Sequence, residues 1–437
     1  MLIKMLKGLL AAATLVPLVA CAAPCDAPGR LCAPIEANTS APPAPSGQPA
    51  AREQPVAAQT YAIEMSAPAS PSASTSPSAL IPASGSAVAA TSAPASASAK
   101  PSIHIALLLP LNSDTLGAPA AAVKAGFMAA YERDRDGIAV EVIDSGDQPQ
   151  QALDAYAAAL PANDLLVGPL ARSAVSALAA SKLVTKPTIV LNHPEARSGA
   201  GAAVLPAQML AIGLSIEDEA RQVANWAGAD HPGASVLIVS SANAWQRRIA
   251  GAFGARWRQL GYPSQLLELP DSNGYLSEAA LKQLKQRVDN ETPSLLFAAL
   301  DADQTRQLRA ELGNAVPLFG ASSVNPGRAP GSAIGELDGL QLLDMPWLIQ
   351  ADHNAVMVYP RYLGERVTLD MDRLYALGID AFRVARELAL RPGAAFQLDG
   401  VTGRLGVGFA GGKVQFERVL PAAIIESGNF SLVPRMR

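Results

Sequence analysis

Four histidines, His104, His193, His231 and His353, are scattered with neither metal-ligand spacing nor a neighbouring cysteine. A transition-metal site needs such donors in close register. The chain contains no G-x-S-x-G elbow and no P-loop, so the usual strings for acyl and phosphoryl transfer are missing. One string does fit a pattern, since Gly406 to Gly411 reads G-x-G-x-x-G. A dinucleotide site needs that run between a strand and a helix, where helix amides meet the pyrophosphate. Here GGKVQFERV follows with the alternation of a strand, and the glycines are read as a hairpin. Asp370 and Asp372 precede a strongly periodic helix and suit its dipole, while Asp380 lies inside it, where a structural hydrogen bond is expected. No catalytic residue, metal or cofactor is predicted, and a non-enzymatic role is expected.

Binding chemistry has better candidates. DLLVGPLARSAVSAL sets Gly168 and Pro169 at a strand end and Arg172 and Ser173 at a helix start. Open amides and a hydroxyl there suit a carboxylate, although Ser173 capping its own helix is the commoner arrangement. Asn192 and His193 end the run TIVLN, and Ser240, Ser241 and Asn243 follow ASVLIV. Ligands of α/β sheets bind at such strand ends, and turns collect Asn and Ser there as well. Arg172, Ser173, Asn192, Ser240, Ser241 and Asn243 are therefore candidate contacts for a small ligand in a cleft. Trp347, after Met345-Pro346, is either a partner anchor or, the reading preferred here, packed into a hinge.

These residues need elements to hold them. From IHIALLLPL onward, short apolar runs alternate with helical periodicity: IAVEVID, DLLVGPL and KPTIVLN as strands, with helices between. The rhythm repeats through ASVLIVS, SQLLELP, SLLFAAL and VPLFG. Such alternation predicts parallel sheets covered by helices on both faces, and two sets predict two lobes. The expected division places 102–206 and 324–395 in one lobe and 207–323 and 396–437 in the other. LDMDRLYALGIDAFRVARELAL, 369–390, is expected as one amphipathic helix, and the glycine-rich tail from Asp399 as hairpins.

The chain has 437 residues, a formal charge of −4 and few charged residues, 16%; nothing in it offers a basic face to nucleic acid. Its start differs in kind from the body. Lys4 and Lys7 precede an apolar run to Val19, short for a membrane span and suited to a secretory signal. Leu18-Val19-Ala20-Cys21 resembles a bacterial lipobox, in which Cys21 becomes the lipid-bearing first residue, with 1–20 removed. Acyl chains anchor firmly, each buried methylene adding about 0.8 kcal/mol. By resemblance to lipoprotein sorting rules, Ala22 lacks the inner-membrane retention aspartate, which implies the outer membrane. Between Cys21 and Pro101 lies a segment dominated by Ala, Pro and Ser, too poor in large apolar residues to fold and expected to be a tether. As a flexible coil it would average roughly 50 Å end to end, and fully extended roughly 250 Å. Cys25 and Cys32 lie within it, and whether they pair is open.

The order of elements resembles a type I periplasmic binding protein, two lobes around a cleft. Within that class IALLLPL with AVKAGFMAAY, LLVGPL, Met345–Trp347, RLYALGIDAF and GVTGRLGV resemble the penicillin-binding-protein activator family of outer-membrane lipoproteins. The last two are the more specific. The resemblance implies a lipid-anchored protein, its body in the periplasm, that stimulates a class A penicillin-binding protein and so regulates peptidoglycan cross-linking. The best-known members carry a helical-repeat domain before this body, and here the Ala/Pro/Ser segment stands in its place. Amino-acid-binding relatives in the type I class hold a ligand carboxylate at a corner equivalent to that of Arg172 and Ser173. A periplasmic receptor for an amino acid or peptide is thus the alternative.

Overall fold

The computed structural model describes residues 103–196, 203–327, 334–364 and 367–434. The expected signal and tether, with Cys21, Cys25 and Cys32, lie outside the described residues. The first run is β1 (Ile103–Leu109), α1 (Gly117–Arg133), β2 (Ile138–Asp144), α2 (Pro149–Ala159), β3 (Leu165–Val167), α3 (Arg172–Ala180), β4 (Thr188–Val190) and β5 (Met209–Ala211). Its strands form a parallel sheet in the order β2-β1-β3-β4-β5. Strand β1 lies inside it between β2 and β3, and Ile105 to Leu109 are almost wholly excluded from solvent. That burial is why the run reads apolar without alternation.

The second run repeats the plan with α4 (Ile216–Asp230), β6 (Val236–Ser241), α5 (Ala244–Gln259), β7 (Ser264–Leu269), a small hairpin β8 (Asp271–Ser272) and β9 (Tyr275–Leu276), α6 (Glu278–Glu291), β10 (Leu295–Ala299), α7 (Ala302–Leu312), β11 (Leu318–Gly320) and β12 (Leu340–Leu343). Strand order is β7-β6-β10-β11-β12, the same as in the first sheet. Phe253 of α5 stacks on Phe297 of β10 with centroids 3.9 Å apart, joining helix to sheet.

After β12 come two short helices, α8 (Pro346–Ile349) and α9 (Asn354–Met357), and the long α10 (Leu369–Leu390). The Thr368 hydroxyl accepts from Met371 N and caps α10. Helix α10 lies against α1, with Phe382 edge-on to Phe127 (5.3 Å) and Tyr131 (5.7 Å). The backbones approach closely because both helices offer glycine. A Cβ on Gly126 would lie 1.9 Å from Tyr375 O, and one on Gly378 would lie 2.0 Å from Val123 O. The chain ends in β13 (Phe396–Asp399), β14 (Arg404–Ala410) and β15 (Lys413–Val419), an antiparallel sheet, then β16 (Ala422–Glu426) and β17 (Asn429–Val433). The G-x-G-x-x-G string falls in the β14–β15 hairpin, as expected.

The architecture is the two-lobed α/β fold expected, and α10 spans the residues expected of it. The lobe boundaries differ. Strand β5 pairs with β4, so the first lobe continues past 206 to Ala211. Strand β12 pairs with β11, so the return falls after Leu343 rather than near 324. Strands β13 to β15 stay with the first lobe, where Val414 N donates to Ala207 O (3.2 Å). Only β16 and β17 join the second sheet, antiparallel to β12. The chain therefore crosses between lobes at 212–215, 344–346 and 420–421.

Candidate functional site

The chemistry of the molecule gathers where the chain crosses. Asp380, on the face of α10 turned from α1's glycine seam, is wholly buried. It accepts from Val401 N (3.1 Å), Thr402 N (2.7 Å) and the Thr402 hydroxyl (2.7 Å), with Arg383 at 3.2 Å. The two specific sequence motifs are thus one unit, a helix carboxylate holding the turn of GVTGRL. Gly400 is required there, since a Cβ would lie 2.6 Å from Asp380 Oδ2. The structural bond expected for Asp380 is what this residue makes.

From the same turn the network reaches the crossings. Arg418, at the end of β15, donates to Thr402 Oγ1 (3.1 Å), Gly213 O (3.1 Å) and Ile212 O (2.8 Å). Burial lowers its pKa to about 10, which leaves it cationic at neutral pH. Gln222 of α4 closes the other side, donating to Arg418 O (3.0 Å) and accepting from Leu420 N (3.1 Å).

A second arginine works at the middle crossing. Arg373, seven residues before Asp380 and so two turns along α10 on the same face, reaches from the first lobe to Asp344 (3.0 Å) and Ser322 O (2.9 Å). Asp344 also accepts from Asn325 Nδ2 (2.7 Å) and Met345 N (2.8 Å). Burial opposes the charge of Arg373, but Asp344 and then Glu219 hold its pKa above the ordinary value. Glu219 of α4 accepts from Ser322 N (3.2 Å) and Ser322 Oγ (2.5 Å). Burial, reinforced by the Asp344 charge, raises its pKa to about 7.

A groove of about 1260 Å³ runs beside this hinge, with Glu219 among its lining residues. One face of α4 (Ser215, Asp218, Gln222, Asn225) forms a wall, facing Phe416 to Ala422. Sequence reasoning missed Glu219, Asp344 and Arg418. Glu219 is hidden among the first-turn acids Glu217 and Asp218, which look like ordinary dipole partners. Arg373 stood inside a quoted motif, and its spacing from Asp380 was the available signal.

The six candidate ligand residues lie elsewhere, on the C-terminal edges of the two sheets, and none lines this groove, although His193 does. Arg172 donates to Pro194 O (3.1 Å) and Glu195 O (3.2 Å), fixing the loop after β4. The cap position of α3 is Ala171, so Ser173 does not cap the helix. Its hydroxyl makes no hydrogen bond among the described residues. Asn192 donates to Leu170 O (3.1 Å) and accepts from His193 N (2.9 Å). Ser240 Oγ is buried with no partner among the described residues. Ser241 Oγ accepts from Asn243 Nδ2 (3.1 Å), and that amide also reaches Asp271 (3.3 Å). Arg172, Ser173 and Asn192 thus share one edge, and Ser240, Ser241 and Asn243 the other. Trp347 is packed, 1% exposed, against Tyr375 (5.4 Å) with the Arg361 guanidinium 4.4 Å from its ring. Asp370 pairs with Arg373 (3.2 Å) at the start of α10. No group of three or more potential metal donors assembles among the described residues.

A family model described as LppC putative lipoprotein matches residues 95–419. The penicillin-binding protein activator LpoA of Haemophilus ducreyi is 26% identical over 324 residues, 70% of this chain and 51% of that protein. The chain therefore spans about half the length of that relative. Among solved structures, a putative branched-chain amino acid ABC transporter from Chromobacterium violaceum aligns at 34% identity with a TM-score of 0.60, covering 74% of this chain and 99% of that one. The C-domain of LpoA from Haemophilus influenzae, described as a regulator of PBP1A, aligns at 22% identity with a TM-score of 0.58, covering 76% of this chain and 100% of that one. The last of these is a likeness of fold.

Proposed function

The chain belongs to the family of LppC putative lipoproteins, and from that premise we propose that it is a non-enzymatic lipoprotein of the outer membrane that activates a class A penicillin-binding protein. In this reading Cys21 carries the lipid, the Ala/Pro/Ser segment spans the distance from the membrane, and the periplasmic body meets the synthase and raises peptidoglycan cross-linking. The observation that carries it is the family match, which extends over nearly the whole body and is joined by a relative named as an activator. The pairing of RLYALGIDAF with GVTGRL through Asp380 supports it, because the residues of the resemblance form one structural unit. The test is cross-linking by the organism's own class A penicillin-binding protein with and without the purified chain. A saturable rise in cross-links is expected, and no rise with no association between the two proteins rejects the proposal.

A second reading, a periplasmic receptor for an amino acid or peptide, is favoured by the 34% identity to the putative branched-chain amino acid transporter structure. Arg172, Ser173, Asn192, Ser240, Ser241 and Asn243 would be its contacts. A ligand at about a hundred times its dissociation constant adds roughly 2.7 kcal/mol of stability, so thermal shifts against an amino-acid panel decide that case.

A further inference from the structure

Receptors that close on a ligand do so by turning a few backbone bonds where the chain passes between lobes. Here each passage is tied down by a side chain from another part of the molecule. At the first passage, the carbonyls of Ile212 and Gly213 are both held by Arg418, at the end of β15 just before the third passage. Gly213 also lies flat on the first lobe: a Cβ there would stand 2.6 Å from Asn192 Cα. At the second, Asp344 is held by Arg373 from the first lobe and by Asn325 from the second, and Trp347 N donates to Val401 O (3.0 Å). At the third, Gln222 from the second lobe bonds both Arg418 O and Leu420 N. Arg373 joins the lobes once more through Ser322 O. A rotation about any one passage breaks bonds made at another, and the groups freed are an arginine, a carboxylate and main-chain carbonyls away from bulk water, which are costly to leave unpaired.

We infer that α10, through Arg373 and through Asp380 by way of Thr402 and Arg418, braces all three passages, so that the two lobes move as one rigid unit and present a fixed surface instead of closing on a ligand. The brace is independent of which partner or ligand the protein takes, and its test involves no synthase.

The test places spin labels on keto amino acids at Ala157 of α2 and Gln283 of α6, both exposed, in the full chain, so that native cysteines are not used. Pulsed dipolar spectroscopy then reads the distance between lobes. A single narrow distribution is expected, unchanged by millimolar leucine. Arg373→Met, Arg418→Met and the milder Gln222→Ala should each broaden it while far-UV circular dichroism stays native. A broad or two-peaked wild-type distribution overturns the inference, as does a shift on adding leucine. So does a Gln222→Ala distribution as narrow as wild type, and this variant, which removes no charge, keeps the test decisive if either arginine variant fails to fold.

Discussion

Replacing Glu219 with glutamine removes one proton-binding group from the lining of the hinge groove while keeping the shape and an oxygen for Ser322. The carboxyl titrates near pH 7 in the folded protein because it is enclosed and lies near the Asp344 charge, which together outweigh the Ser322 hydrogen bonds and Arg373. In the unfolded chain the same group has the ordinary value of 4.5. Between those two values the folded state holds a proton that the unfolded state has lost, so stability falls as pH rises from about 4.5 to about 7 and is level on either side. At about 1.4 kcal/mol per unit, the full displacement is worth at most about 3.5 kcal/mol. The groove admits water to part of the side chain, and the expected loss is about 1–3 kcal/mol. Urea unfolding of wild type and Glu219→Gln at intervals between about pH 5 and about pH 8 reads this directly. Every other titrating group is common to both proteins and cancels in the difference. Wild-type stability minus variant stability should decline up to about pH 7 and level off above it. A flat difference would mean that Glu219 is ionised throughout, and the charge accounting at the hinge would be refuted.

Asp380→Ala leaves two amides, a hydroxyl and Arg383 facing a void, and should destabilise by about 3–5 kcal/mol in chemical denaturation; a loss under about 1 kcal/mol contradicts its place as the holder of the Val401–Thr402 turn. Gly378→Ala drives a methyl into Val123 O and should cost about 1–3 kcal/mol by forcing α1 and α10 apart; unchanged melting would show that the seam is loose. Cys21→Ser should move the protein from the membrane to the soluble periplasmic fraction and abolish its effect in cells, and a variant that stays with the outer membrane rules out the lipid anchor. Stepwise shortening within 33–101 should impair function progressively, and full function without that segment contradicts a requirement for reach.

The repeated strand–helix alternation was legible because the inner strands of the parallel sheets, such as β3, β6 and β10, are buried on both faces, and burial leaves an unbroken apolar mark on the sequence. The strand β5 was not. Met209-Leu210-Ala211 is three residues long with no flanking pattern, and only its pairing with β4 marks it as a strand. For the same reason the first boundary was set at 206. The stretch from Ala321 to Gly339 carries short turns of 3₁₀ helix and gives no period by which to see that LQLL continues the second sheet. At the strand ends, Arg172 and Asn192 carried the right chemistry for a ligand, yet both spend hydrogen bonds on the loop between β3 and β5. One sequence cannot distinguish a polar side chain that serves its own turn from one that awaits a ligand, because local composition is the same in both cases.

The hinge cluster was hidden for a different reason. Its members come from positions 219, 322, 344, 373 and 418, and no local window contains more than one of them. Only α10 is both local and central. Its first requirement, small residues toward α1, fixes Gly378 and turns the opposite face toward the crossings. A seven-residue step then sets Arg373 and Asp380 on that face two turns apart, about 10 Å along the axis. One end meets Asp344 at the middle passage, and the other meets the GVTGRL turn from which Arg418 reaches the remaining two. A helix under three simultaneous demands, close packing, one cation and one carboxylate at fixed spacing, has few acceptable sequences. That constraint accounts physically for why RLYALGIDAF, with no catalytic or metal-binding residue type in a recognisable pattern, is among the most specific strings in the chain.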